Sequence, residues 1–530
     1  MMQAHRIPVF KNWVSEWVAR SVIFTILMTC LYSFALYTNP ATIMGFYGVE
    51  STDIQYAMVV IYGSTVAFLA LDFRIVKYFS PRKYLLTALA VNALCSLICF
   101  YTRNWMIFIV VQFIQGITCA LMSGIVLNMI FPRLESARAR VIGYTVLYGG
   151  IQISVPLYSI YYSIVLYFFD FNWLFYGLIV LLVILTGMVM VTMNGKARFH
   201  KKIPLYQVDW IGYLFYITFI LILGYILVYG RQLGWLDSPL IAFLSLFNVL
   251  VLFIFISREL KLKRPLINLH IFKTRNFVIG LLLLFTFYIF KGSTGLAYGY
   301  LEIILGNDPL STIPIWMAVI AGTVIGMFVI SRFILMGYNL IKIIIAGFGI
   351  MALFYVYMLL FVTVQGETCD FIPALFIYGF ATGVLFVPIV SFTISAAPPN
   401  IAANASLVGI LARFTGFTTS LALNNELQLY TKGAATEKIR ENVNETNPQL
   451  SITLENTYQM YMNAGNDIYT AKNSSAGYLN SLVKEQVLVS ATRDYYNLML
   501  AGVLCVIIIV LLLPYVQRVV LKLKKGQVPY

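Results

Sequence analysis

Long apolar stretches follow one another along almost the whole chain, separated by short polar segments. A helix needs about 20 consecutive apolar residues to cross a bilayer. Fourteen stretches reach this length, so the pattern predicts fourteen transmembrane helices. They are expected at 21–40, 54–73, 83–101, 105–131, 139–167, 172–193, 209–229, 239–257, 277–303, 312–333, 341–364, 371–396, 401–425 and 495–517.

The composition agrees with this pattern. Of the 530 residues, 60% are hydrophobic and only 11% are charged, whereas soluble domains usually carry about 25% charged residues. A water-soluble fold could not hide so much apolar surface. We therefore predict an all-α integral membrane protein, and the composition excludes soluble enzymes, nucleic-acid-binding modules and secreted disulfide-bonded scaffolds.

The net charge of +15 is unevenly distributed. With the N-terminus placed inside, the inner segments hold 26 of the 36 Lys and Arg residues, and the short outer loops hold only Arg103 and Arg231. Basic residues are retained on the cytoplasmic side of membranes. The asymmetry and the even number of spans both predict that the two termini are cytoplasmic.

The chain divides into five expected regions. Basic loops at 74–83 and 331–342 occupy equivalent places once two central helices are set aside, a pattern typical of transporters with paired halves. The predicted regions are a cytoplasmic lead-in at 1–20, a six-helix bundle at 21–193, two inserted linker helices at 194–257, a pseudo-symmetric second six-helix bundle at 258–517, and a cytoplasmic tail at 518–530.

One polar segment interrupts the second bundle. Residues 428–494 are rich in Asn, Thr, Tyr and Glu and are expected to face outward. Spaced apolar positions such as Tyr458, Met460 and Ile468 favour one or two short amphipathic helices. The alternatives are a docking element and a loop without regular structure, because a stretch of this length is usually functional or disordered.

Two stretches carry a family signature, GRQLGWLDS (230–238) continuing to RPLINLHIFKTRNFVIG (264–280), and YGFATGVLFVPIVSFTISAAPPNIAANASLVGILARFTGF (378–417). They resemble the fourteen-span drug:proton antiporters of the major facilitator superfamily, of the EmrB/QacA type. The matching positions of the second stretch are Gly379, Gly383, Pro388, Pro398, Pro399, Arg413 and Gly416.

The first bundle departs from that family. The fourth span keeps Gln115 and Gly116 but has Gln112 at the position of the family's Arg, and the fifth keeps only Pro156 of a Gly-rich motif. The first span lacks the family's acidic residue. The family has a motif in the loop after the second span that contains an Asp and ends in basic residues. Here Asp72 does not lie at the position of that Asp, and only Lys77, Arg82 and Lys83 correspond to the basic end of the motif. These differences leave proton coupling open.

Charged residues inside predicted spans are candidate functional residues, because each costs about 2.5–3.5 kcal/mol at the bilayer centre. Lys291 and Arg413 are expected deep in the ninth and thirteenth spans. They either line a substrate cavity or hold helices together through backbone carbonyls and the hydroxyls of Thr294, Thr415, Thr418 and Thr419. The predicted substrate cavity consists of Lys291, Arg413, Gln112 and Tyr298.

Two carboxylates are candidates for coupling. Glu302 lies about three helical turns beyond Lys291, on the same face but about 16 Å along the axis. Asp72 is predicted to serve a cytoplasmic gate or a helix end rather than proton transfer. The predicted gating and structural positions are Gln115, Gly116, Pro156, Gly379, Gly383, Pro388, Arg82 and Lys83.

Enzymatic chemistry is not predicted. The sequence has no G-x-x-x-x-G-K-[ST] phosphate loop and no CxxC pair, and its three histidines lie in polar segments. We therefore expect no catalytic residues, no metal site and no cofactor.

The resemblance implies an exporter of amphiphilic or drug-like compounds, driven by protons, in a bacterial inner membrane. It also implies membrane lipids around the helices and a periplasmic adaptor and outer-membrane channel as partners. Two alternatives stay open. One is a metabolite exporter without proton coupling, and the other is a transporter-derived scaffold that no longer transports.

Overall fold

The computed structural model describes residues 9–130, 137–195, 197, 208–295, 309–363, 366–398, 402–441, 443 and 447–512. Across these ranges every regular element is a helix, and a single isolated bridge pairs Phe10 with Met193. The predicted all-α class is therefore confirmed. The predicted site residues Tyr298 and Glu302, together with Pro399 and the tail at 518–530, lie outside the described residues.

Seventeen α-helices are present in the described ranges. They are α1 (Glu16–Cys30), α2 (Tyr32–Ala35), α3 (Pro40–Tyr47), α4 (Ser51–Ile75), α5 (Pro81–Tyr101), α6 (Trp105–Ile130), α7 (Ala137–Phe168), α8 (Trp173–Thr192), α9 (Trp210–Leu233), α10 (Pro239–Lys261), α11 (Arg275–Lys291), α12 (Ile313–Leu335), α13 (Leu340–Phe361), α14 (Thr368–Ser395), α15 (Ala402–Arg440), α16 (Pro448–Asn463) and α17 (Ile468–Leu512).

Thirteen helical segments of the described chain are long and apolar enough to cross a bilayer. Each lies at one of the fourteen predicted spans, the first combining α1 and α2. The remaining predicted span, at 277–303, is represented by α11, which has 17 residues and ends at Lys291. The expected continuous helix is thus wrong at Gly292, where the chain turns.

The first span also breaks midway, at Leu31 between α1 and α2. The hydroxyl of Tyr162 donates to the Tyr32 carbonyl at 2.8 Å, and the Tyr32 hydroxyl donates to the Leu174 carbonyl at 2.7 Å. A backbone carbonyl has no water to bind in a bilayer, so a break needs such partners. Hence the first helix of each predicted six-helix bundle is interrupted inside the membrane.

Two large hydrophobic clusters form the core. One is built mainly from α1–α9 and includes Phe277, Val408 and Phe414 from the second half. The other is built mainly from α11–α15 and α17 and includes Tyr148 from α7. Each half therefore has its own core, and the packing of α7 against α12 and of α15 against α4 carries most of the contacts between them.

Helices α15 and α17 are far longer than a bilayer requires. They have 39 and 45 residues, or about 58 and 68 Å at 1.5 Å per residue, against a hydrocarbon core of about 30 Å. Helix therefore continues beyond the predicted span ends at 425 and 495, into the polar segment from both sides. The predicted amphipathic helix inside that segment is present as α16.

The two extensions are packed together beyond the membrane. Ala435 of α15 is buried with Val487 and Ala491 of α17. We call residues 428–494 the outer hairpin. The stems therefore share a small apolar core, and the two helices are longer than a hydrocarbon core of about 30 Å by about 28 and 38 Å.

Candidate functional site

The break at the end of α11 exposes three backbone carbonyls. The Tyr355 hydroxyl donates to the Phe290 carbonyl, the Tyr378 hydroxyl to the Lys291 carbonyl, and the Asn424 amide to the Gly292 carbonyl, each at 3.0 Å. These donors come from α13, α14 and α15. Because three other helices satisfy the break, its geometry is set by the packing of the whole second half.

Lys291 ends α11 at this break. Sixteen residues of helix separate it from Arg275, which places it about 24 Å along the axis. Its ammonium donates to the Gln152 Oε1 atom of α7 and lies 5.3 Å from the centre of the Tyr288 ring. The negative end of the α11 dipole further favours a cation at this position. Lys291 thus contacts the first half of the protein from the second.

Arg413 lies on α15 with 9% of its surface exposed. Its guanidinium stands 5.9 Å from the Tyr148 ring centre and 5.7 Å from that of Phe386, and its Nε donates to the Gly409 carbonyl at 3.4 Å. Aromatic faces attract desolvated cations. Arg413 is therefore held mainly by rings from both halves.

No carboxylate of the described chain lies within 4.0 Å of Lys291 or Arg413. Three of the four threonine hydroxyls expected to hold these cations bond elsewhere: Thr294 donates to the Lys291 carbonyl, Thr415 to the Leu411 carbonyl and Thr418 to the Phe414 carbonyl. A buried and a partly buried cation without a counter-ion among the described residues leave a site of positive potential between the halves.

The two glutamines of α6, Gln112 and Gln115, differ in their hydrogen bonds. Gln112 is fully buried, and neither of its amide atoms has a partner within the described ranges. Gln115 donates to the Ser96 hydroxyl of α5 at 3.2 Å. Buried amides are rarely left without hydrogen bonds, so Gln112 is the stronger candidate for contact with a polar ligand.

The glycine positions allow helices to touch. A Cβ on Gly116 would lie 1.9 Å from the Ser64 hydroxyl oxygen, and Cβ atoms on Gly379 and Gly383 would lie 2.4 and 2.6 Å from carbonyls of α12. Small residues permit such close approach in membranes. The two prolines, Pro156 and Pro388, lie within α7 and α14.

The remaining predicted positions lie toward the predicted inner side. Asp72 is buried and accepts a hydrogen bond from the Tyr84 hydroxyl. Arg82 donates to the Met190 carbonyl of α8 at 3.0 Å, and Lys83 is exposed. These three residues do not join the Lys291 cluster through any contact of the described structure, and Tyr298 and Glu302 lie outside it.

The sequence model of the Major Facilitator Superfamily matches residues 22–420, most of the chain.

The chain belongs to the Major Facilitator Superfamily.

Among curated relatives, the multidrug export protein EmrB of Escherichia coli strain K12 is 24% identical over 357 residues. The match covers 64% of the present chain and 64% of the length of EmrB. Membership of this superfamily agrees with the thirteen long apolar helical segments of the described chain, and the protein is a multi-pass membrane protein.

Solved transporter structures share its fold. The peptide transporter POT in complex with sulfate has a TM-score of 0.56 at 13% identity, covering 80% of this chain and 90% of that one. The human organic anion transporter MFSD10 (TETRAN) has a TM-score of 0.51 at 15% identity, covering 78% and 94%. At such identities the likeness concerns the fold alone.

The sequence motif at 230–238 joins the two inserted helices, α9 and α10. Gly234 has a φ of 82°, which glycine adopts without strain. A Cβ on Gly230 would lie 2.5 Å from the Trp235 ring, so glycine is needed there for space. The Trp235 indole donates to Glu426 of α15 at 3.2 Å, and Tyr229 donates to Asp53 of α4 at 2.5 Å. The turn between the inserted helices therefore contacts both halves.

Sequence reasoning missed several residues of the site. Gln152, Tyr378 and Asn424 contact Lys291 or its neighbouring carbonyls. Gln152 and Asn424 belong to no motif, and Tyr378 begins the signature stretch at 378–417 without being one of its matching positions. Their one sequence signal is a polar side chain within an apolar helix. Also missed was the reciprocal pair of Gln55 and Asn425, whose amides bond at 3.1 and 2.7 Å and join α4 to α15.

Proposed function

We propose that this protein is a secondary exporter of the bacterial inner membrane, and that it moves amphiphilic compounds with an anionic or polar group outward. The observation that carries the proposal is a pair of cations, the buried Arg413 and the partly buried Lys291, without a carboxylate within 4.0 Å in the described ranges. A negative group on a ligand would supply the missing counter-charge, because a desolvated charge gains most from pairing. The name of the relative EmrB, a multidrug export protein, supports drug-like cargo.

Alternating access would separate contacts between the halves on each side in turn. On the predicted outer side, the side-chain amides of Gln55 and Asn425 form two hydrogen bonds between the halves. On the predicted inner side Arg74 donates to the Pro265 carbonyl at 2.5 Å. Lys291 bonds to Gln152 at a depth between them. A ligand that takes over the Lys291 ammonium would release Gln152 and so weaken the central contact between the halves.

Proton coupling is the finer part of the proposal. Asp72 is a buried carboxylate of α4 that accepts a hydrogen bond from Tyr84, its one donor among the described residues, and its protonation would change the contact between α4 and α5. Glu302 remains the second coupling candidate. The alternative, export without protons, is favoured by the lack of any described carboxylate beside Lys291 and Arg413.

Inverted membrane vesicles test the proposal. The substrates are an amphiphilic fluorescent carboxylate and its uncharged methyl ester, which differ only at the anionic group. We expect uptake of the carboxylate to exceed that of the ester and to require an imposed pH gradient, acidic inside. Equal uptake without the gradient would support the uncoupled exporter. No uptake of any amphiphile from a wider panel would reject export and leave the non-transporting scaffold.

We also propose that the outer hairpin is the docking site of a periplasmic adaptor, which would pass cargo to an outer-membrane channel. Met460 and Ile468 are each 67% exposed and Tyr469 is 76% exposed, all close to the tip of the hairpin. Apolar side chains in water at the end of a packed helical stem are typical of a contact surface.

A further inference from the structure

A groove lies where the inserted helices meet the predicted inner surface. It has a volume of about 630 Å³ and is lined by residues 208–211, before and at the start of α9, and by Arg258 and residues 261–264 at the end of α10. Its position lies away from Lys291 and Arg413, and its volume suits a polar headgroup rather than a whole lipid.

Basic side chains dominate the exposed wall of the groove. Lys261 and Lys263 are exposed, and no carboxylate of the described chain lies within 4.0 Å of either ammonium. Arg264 also lines this wall. The groove therefore presents cations to any ligand that enters from solvent.

The acidic residues of this region are already occupied. Asp209 is held by two hydrogen bonds of 2.6 Å from Arg258 and accepts from the Gly212 amide at 2.9 Å. Burial opposes the ionisation of Asp209, but these bonds outweigh it and keep its pKa below the usual value. Glu259 is buried, lies 3.4 Å from Arg258 and accepts from the Ile267 amide. Neither carboxylate is therefore available to the two lysines.

The start of α9 contributes exposed apolar side chains to the groove. Trp210 is 51% exposed, and Ile211 and Leu214 lie beside it on the same exposed side of α9. Tryptophan is enriched at the level of lipid headgroups. Cations and exposed apolar side chains together suit an amphiphile with a negative head.

We propose that this groove binds the phosphate headgroup of an anionic phospholipid of the cytoplasmic leaflet. Lys261 and Lys263 would contact the phosphate, and the acyl chains would run along Trp210, Ile211 and Leu214. Basic pockets between transmembrane helices on the cytoplasmic side recognise such headgroups. The leaflet assignment rests on the proposed orientation of the chain, but the binding chemistry does not.

The bound lipid would also stabilise the inner contact between the halves. The segment that follows Lys263 offers the carbonyls of Arg264 and Pro265 to Arg74 of α4, at 3.3 and 2.5 Å. A headgroup that holds Lys261 and Lys263 would fix this segment where Arg74 reaches it.

The test measures lipid binding to the full-length protein in detergent by native mass spectrometry, with dioleoylphosphatidylglycerol and dioleoylphosphatidylcholine as probes. The variant is Lys261→Gln with Lys263→Gln. Its matched control is Lys472→Gln with Lys484→Gln, which removes the same charge from exposed positions of the outer hairpin. A basic residue near an anionic lipid contributes about fivefold in affinity, so two losses should weaken phosphatidylglycerol binding roughly 30-fold.

We expect the control to bind phosphatidylglycerol like the wild type, and all proteins to bind phosphatidylcholine equally weakly. Each single lysine variant should bind with intermediate affinity. Equal binding of phosphatidylglycerol by the variant and its control would overturn the proposal. So would displacement of phosphatidylglycerol by millimolar inorganic phosphate, because the site would then select free phosphate. Binding is measured without transport, so failure of the exporter proposal would leave this result intact.

Discussion

At the residue scale, the chemistry of Lys291 follows from three neighbours. The end of α11 supplies a negative dipole, Gln152 supplies one acceptor, and the Tyr288 ring lies 5.3 Å away. None of these groups is an anion, so the ammonium is stabilised without being neutralised. Such a cation can exchange a weak neutral partner for a negative ligand at low cost.

Lys291→Met should lower transport of an anionic amphiphile at least tenfold while the amount of folded protein stays similar. Methionine keeps the length and the apolar stem of lysine but removes the charge that would bind the ligand. Initial uptake rates in inverted vesicles and monodispersity in detergent measure the two outcomes. Lys432→Met is the matched control, because Lys432 is exposed on the same long helix as Arg413. Loss of folded Lys291→Met protein would instead show that the lysine holds α11 against α7.

A second residue-scale prediction concerns the contact of α4 with α6. Gly116→Ala places a methyl group 1.9 Å from the Ser64 hydroxyl and 2.4 Å from the Ile61 carbonyl, and such overpacking costs about 1–3 kcal/mol. We expect a lower melting temperature in detergent. Gly349→Ala is the control, since a Cβ on this glycine of α13 meets nothing within 4 Å. An equal effect of the two changes would mean that intrinsic helix propensity, not packing, decides.

At the element scale, hydropathy located nearly every span but not the interruptions. The break at Gly292 depends on Tyr355, Tyr378 and Asn424, which follow it by 63, 86 and 132 positions in the sequence. A window of about 20 residues cannot register donors at that distance. The extensions of α15 and α17 escape hydropathy for another reason: polar residues end the apolar run that predicts a span, but the helix itself continues.

The outer hairpin supports a prediction at this scale. Met460→Ser, Ile468→Ser and Tyr469→Ser together should abolish cross-linking to an adaptor in whole cells, because they remove apolar contact area without touching the stem of Ala435, Val487 and Ala491. The control is Gln459→Ser with Lys472→Ser, two polar neighbours. Thermal stability should be the same in both variants. Undiminished cross-linking of the triple variant would place the adaptor on another surface.

At the scale of the whole molecule, polar contacts between the halves occur at three depths. Arg74 with Pro265, Lys291 with Gln152, and Gln55 with Asn425 are separated along the direction of the helices. The inserted pair adds a fourth link, because its turn bonds to α4 and to α15. These links could not be derived from the sequence, since each joins residues at least 139 positions apart. The family motifs marked the turn but not its partners.

The sidedness of the molecule gives the last prediction. Three helices cross the membrane between the short turn at Tyr338 and the outer hairpin, namely α13, α14 and α15. Because the number of crossings is odd, the turn at Tyr338 and the outer hairpin lie on opposite sides. The positive-inside rule puts Tyr338 inside. In a background with Cys369→Ser and Cys505→Ser, which removes the two exposed thiols, Lys472→Cys should react with an impermeant maleimide in intact cells. Tyr338→Cys should react only after permeabilisation. The reverse result would invert the orientation, and with it the export direction and the leaflet of the lipid groove, whereas labelling of both positions from one side would contradict the crossings themselves.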